Sequence, residues 1–130
     1  MKIVFCTLLL LLGALPRLLA EPSAEGLVLA ARVYRIFEAK CLDCHGAQLA
    51  RPKGKFGYVL DLQRVAENED WVVRGSGKES ELYELVFTDE MPGEDADVPP
   101  LTPDEKEAVK RWIDLGAPAP VALAPTSSPA

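Results

Sequence analysis

The 130-residue sequence predicts a small all-α domain. Two segments, one near each end of the folded part, repeat apolar residues at helical spacing. No internal repeat or sustained period-two alternation lies between them. The composition, 48% hydrophobic and 26% charged, suits one globular unit. The domain is expected over residues 21–116, with residues 117–130, rich in Ala, Pro and Ser, as a disordered tail. A core this small gains from a covalent or bound staple.

Residues 1–20 read as a secretory signal peptide. Lys2 gives a positive start, Ile3 to Leu12 are almost purely apolar, and Ala20 offers a small residue before Glu21. The run is shorter than the ~20 residues a membrane span needs, and Pro16 and Arg17 interrupt it. Leu18, three residues before the cut, is larger than usual there. Cys6 sits early in the run rather than at its end, so it does not read as a lipid site. The chain is therefore expected to be secreted, into a periplasm.

The first helix is expected over Ala24 to Cys41. Ala30, Val33, Phe37 and Cys41 recur at offsets of three and four, with Tyr34 beside them, while Arg32, Arg35 and Lys40 fall largely opposite. The last helix carries stronger punctuation. Thr102 is a natural N-cap, Pro103 suits the first turn and Glu105 completes a capping box. Ala108, Val109, Trp112 and Ile113 form its apolar stripe, Glu107 and Arg111 pair outside, and Gly116 ends it. Trp112 must bury against the first helix, on Phe37 or Tyr34.

The middle is less regular. Val59 to Leu62 alternate briefly, as an extended stretch would. Gln63 to Arg74 read as a short helix that Gly75-Ser76-Gly77 breaks. Ser80 to Phe87 read as helical, with Leu82, Leu85 and Val86 inward.

The chemistry is carried by Cys41-Leu42-Asp43-Cys44-His45. This C-x-x-C-H spacing is the attachment signature of c-type haem. On a helical turn, positions i, i+3 and i+4 share a face. Two thiols can then add to two vinyl groups while the imidazole meets the iron from the same side. A thioredoxin-like pair would follow a strand and open a helix, whereas this one ends a helix. A structural zinc site needs about four ligands. Only three Cys or His follow the leader, and two of them are adjacent. A disulfide across two residues would close a trivial loop. Export favours haem c, since attachment and disulfides both belong outside the cytoplasm.

The sixth iron ligand follows by elimination. Met91 is the sole methionine after the leader, and there is no second histidine. A thioether is a soft ligand that raises the potential. The alternative for Met91 is ordinary core filling. The expected site is thus Cys41, Cys44, His45 and Met91 for one covalent haem c, with His45 and Met91 on the iron.

Phe37 to Pro118 resembles the planctomycete-type cytochrome c domain, within the class I c-type cytochrome fold. The resemblance is carried by CLDCHG at Cys41 to Gly46, LDL at Leu60 to Leu62 and GSGKESELYELV at Gly75 to Val86. MPG at Met91 to Gly93 and LTPDEKEAVKRWIDLGAP at Leu101 to Pro118 complete it. Many relatives carry a second proline where this chain has Gly93. The resemblance implies a small helical haem domain, its N- and C-terminal helices packed around the cofactor, with His45 and Met91 as axial ligands.

Arg51, Lys53, Lys55, Arg74 and the Trp71 indole are candidate partners for haem propionates, against the alternative of ordinary solvated surface positions. A carbonyl of Pro52 or its predecessor is one candidate for orienting the His45 ring. Asp89, Glu90, Glu94, Asp95 and Asp97 crowd around Met91, as a solvated acidic loop or as a negative rim that steers a basic redox partner. A net charge of −6, from 14 basic and 20 acidic residues, argues against nucleic acid as partner. The expected function is single-electron transfer outside the cytoplasm by a carrier rather than an enzyme, with no stable membrane insertion after leader removal. The alternative is a haem-based enzyme or sensor whose sixth iron position is open or displaceable. N-terminal sequencing of exported protein is expected to begin at Glu21. A product still starting at Met1 would contradict export.

Overall fold

The computed structural model describes residues 21–120. Residues 1–20, expected as a signal peptide, and residues 121–130, expected as tail, lie outside the described part. Five α-helices occur there: α1 (Ala24–Lys40), α2 (Leu42–His45), α3 (Leu62–Glu67), α4 (Glu81–Phe87) and α5 (Pro103–Asp114). Short 3-10 turns at Lys53–Lys55 and Gly77–Glu79 join them. No strand is present among the described residues, so the all-α expectation agrees with the structure. No described helix is long and apolar enough to cross a membrane.

The frame is α1 packed on α5. Ser23 caps α1, its hydroxyl accepting from the Gly26 amide at 3.0 Å. Ala30, Val33, Ile36 and Phe37 are buried, and Arg32 and Arg35 stay exposed. Thr102 and Glu105 form the expected capping box on α5, with Pro103 in its first turn. Trp112 is fully buried and meets Phe37 edge-to-face, centroids 6.3 Å apart at 89°. Its indole nitrogen donates to the Pro118 carbonyl at 2.9 Å. Gly116 takes φ +90°, the left-handed geometry its place after α5 requires. Beyond it, Ala117 is 3% exposed, so the packed chain continues past the expected end at 116.

Three expectations change. Arg111 turns away from Glu107 and binds Glu25 from Nε at 3.1 Å, tying α5 to the start of α1. Val59 and Leu60 lie in a turn and Leu62 opens α3, so no extended stretch forms there. The Asp61 amide donates to the Tyr58 carbonyl at 2.9 Å, and the Asp61 carboxylate caps α3. The helix expected to reach Arg74 stops at Glu67. There the Asn68 side chain accepts from the Asp70 amide at 3.0 Å, offering the backbone a turn in place of another helical bond. Beyond it, Val72 is buried while Val73 is 40% exposed.

The 75–80 segment is anchored on the end of α5. The Gly77 amide donates to the Asp114 carboxylate at 2.7 Å, and the Gly75 amide to the Ile113 carbonyl at 2.9 Å. A Cβ on Gly77 would lie 3.0 Å from the Lys110 carbonyl, so the close approach demands glycine. Lys110, and next the Gly77 amide, hold the Asp114 carboxyl below its ordinary value. Its stabilising contribution is therefore full above the unfolded pKa and lost as pH falls through the lowered folded one. Asp114→Ala is expected to cost about 1.5–3 kcal/mol in urea unfolding at neutral pH. The difference from wild type should shrink on acidification below about pH 4. An equal cost at all pH values would contradict this role.

Candidate functional site

The motif sits where α1 gives way to α2. The Cys41 amide still donates to the Phe37 carbonyl at 2.9 Å and so closes α1. The chain then kinks and restarts, the His45 amide donating to the Cys41 carbonyl at 2.9 Å. Cys41, Cys44 and His45 are thus held on one short turn, all half-buried, at the end of a helix packed in the core.

His45 is fixed twice by the segment that follows. Its Nδ1 lies 2.9 Å from the Phe56 carbonyl, and its own carbonyl accepts from the Val59 amide at 3.3 Å. A carbonyl only accepts, so this bond puts the proton on Nδ1 and leaves the lone pair on Nε2. The orienting carbonyl is that of Phe56 rather than the candidate at Pro52 or its predecessor. Pro52 instead precedes a 3-10 turn in which Gly54 and Lys55 adopt φ +61° and +57°. That turn swings the chain round to deliver Phe56.

Phe56 is 6% exposed and sits among aromatic rings. Its centroid lies 5.1 Å from the His45 ring, 4.6 Å from Tyr58 and 5.4 Å from Trp71. The Tyr58 hydroxyl accepts from Asn68 at 2.7 Å, and the Arg64 guanidinium lies 4.1 Å over its ring. The residues holding His45 are therefore themselves secured on and after α3.

Met91 reaches the same place from the other side of the chain. Its amide donates to the Leu85 carbonyl at 3.0 Å, just after α4. Cys41, His45 and Met91 line an apolar cavity walled by Phe56, Val59, Trp71, Leu82, Leu85 and Val86. They also line a second cavity with Cys44, Lys53 and Asp95. All four residues expected to form the site meet there. A more open depression, between Ala66 and Arg74, contains none of them.

Burial pushes the Cys41 thiol up to about 12, with Cys44 adding to the shift and Lys40 opposing it. A redox-active C-x-x-C pair works through a stabilised thiolate, and this fold stabilises none at Cys41. The auxiliary residues divide. Trp71 walls the apolar cavity, while Arg74 turns to the Ala66 carbonyl at 2.9 Å. Arg51 and Lys55 are exposed, and Lys53 pairs with Asp95. Asp89 is held by Lys106 at 2.7 Å, which leaves Glu90, Glu94 and Asp97 as the exposed remainder of the acidic stretch.

Phe56→Ala should cost about 3–5 kcal/mol, because it empties a buried aromatic position. In thermal unfolding the loss should exceed that of Val28→Ala, whose side chain is exposed. Equal melting temperatures would show that the aromatic cluster does not secure the His45 turn. Compared with known proteins, the chain matches no family model, no curated protein and no solved structure.

Proposed function

We infer that this chain is a monohaem c-type cytochrome that carries single electrons between redox partners outside the cytoplasm. The observation that carries this reading is the His45 ring. Its Nδ1 proton is committed to the Phe56 carbonyl, and two thiols and a thioether share its cavity. Metal-ligating histidines are oriented in this way, by a carbonyl on the far ring nitrogen.

The donor set fits haem c. Cys41 and Cys44 would hold it through thioether bonds to its two vinyl groups, and His45 Nε2 and Met91 Sδ would be the side-chain donors to its iron. When bound, the haem supplies an iron that passes between ferric and ferrous states. The chain's own part is to hold and tune. Phe56, Trp71, Leu82 and Val86 exclude water from the cavity. Low polarity and a thioether ligand both favour the less charged, reduced iron and raise the potential. No substrate is transformed, so the protein is read as a carrier rather than an enzyme.

The setting follows from the leader, which directs the chain to the periplasm. Glu90, Glu94 and Asp97, exposed beside Met91, give a basic partner its approach. The alternative, a haem-based enzyme or sensor with a displaceable sixth ligand, draws on the 37% exposure of Met91. Rapid carbon monoxide binding to the reduced protein would mark that alternative.

Purified with haem attached, the ferric protein is expected to show the weak thioether-to-iron charge-transfer band. Met91→Ala should abolish the band and lower the reduction potential. A variant that keeps both the band and the wild-type potential would remove Met91 from the iron.

A further inference from the structure

We propose that Lys53 and Asp95 form a clasp across the mouth of the site, and that this clasp positions Met91 by holding its segment shut. The inference rests on the haem reading above.

The segment from Thr88 to Leu101 contains no helix, so no internal hydrogen-bond ladder holds Met91 in place. Three lysines from three different elements take hold of it instead. Lys106 of α5 reaches Asp89 at 2.7 Å and donates to the Phe87 carbonyl at 3.0 Å. Lys40, at the end of α1, donates to the Pro99 carbonyl at 3.1 Å. These two lysines fasten the ends of the segment to the framing helices.

Between them, Lys53 pairs with Asp95. Lys53 belongs to the 3-10 turn that leads into Phe56, the partner of His45. Asp95 follows Met91 by one tight turn, in which the Ala96 amide donates to the Gly93 carbonyl at 3.0 Å. The ion pair therefore joins the segment that orients one proposed ligand to the segment that carries the other. Both of its residues line the cavity shared with His45 and Met91. Their mutual hydrogen bond holds Lys53 above and Asp95 below their ordinary values, so both stay charged around neutrality.

The two side chains are 51% and 70% exposed, so salt screens the pair. An exposed pair of this kind does not decide whether the domain folds. It sets how often the Met91 segment opens. An external ligand reaches the iron only after that opening, so its rate of entry reports the open population. Lys53 and Asp95 are thus positioning residues that act through Met91.

The test uses the ferric protein with haem attached and imidazole as the external ligand. The readout is the rate at which imidazole bleaches the methionine charge-transfer band. Asp95→Asn and Lys53→Gln should each speed bleaching about two- to five-fold. Raising salt to ~1 M should speed the wild type similarly and leave Asp95→Asn unchanged. The exchanged pair, Lys53→Glu with Asp95→Lys, should return the rate towards wild type. Unchanged rates in both single variants, or an exchanged pair as fast as either, overturn the clasp alone. A wild type that carries haem without the band overturns the Met91 reading on which the clasp depends.

Discussion

The His45 ring donates from Nδ1 to the Phe56 carbonyl at 2.9 Å, and the arrangement of the site depends on this bond. It decides which ring nitrogen keeps a lone pair, and it fixes the plane of the ring. A carbonyl is useful here only if its own position is secure. Phe56 and Val59 are both buried, and the Val59 amide returns to the His45 carbonyl at 3.3 Å. The motif turn and the 56–59 segment therefore brace each other in the core.

That brace hangs on a frame built elsewhere. The α1–α5 contact, with Phe37 set edge-on to Trp112, fixes the direction in which α1 delivers Cys41. The pair of Arg111 with Glu25 closes the same two helices at the other end of α1. The Gly77 and Gly75 amides then hang the connection to α4 from the end of α5, and α4 leads to Met91. Both sides of the cavity thus trace back to α5, one through α1 and the other through α4. α5 supplies none of the residues that line the cavity, yet it positions both of its sides.

Much of this frame is legible in the sequence because its signals are local. Thr102, Pro103 and Glu105 act within one turn, and the apolar stripe of α5 repeats at helical spacing. The motif is legible for the same reason, since its three residues share one turn. What escapes sequence reasoning depends on partners distant in the chain, or on the backbone. The carbonyl of Phe56 carries no side-chain signature; Phe56-Gly57-Tyr58 signals only that an apolar segment lands somewhere. Glu107 looks a natural partner for Arg111, but Glu25 wins once α1 lies alongside. Asn68 shows how one side chain can end a helix that the apolar pattern would continue. The Lys53–Asp95 pair joins segments whose meeting depends on the whole fold.

The electrostatics follow a similar division. The chain is acidic overall, yet lysines meet two of the acids around Met91, and the exposed remainder faces solvent. Lys40, Lys53 and Lys106 hold the irregular segment beside the cavity. The central claim remains the covalent cofactor. Its most direct test is the intact mass of the protein, expressed with residues 1–20 in place in a host that attaches haem c, and read under denaturing conditions. The account predicts the mass of the processed chain plus one haem, retained after denaturation. A haem-free mass, with Cys41 and Cys44 together two hydrogens short, would leave a small disulfide-bonded helical domain and contradict it.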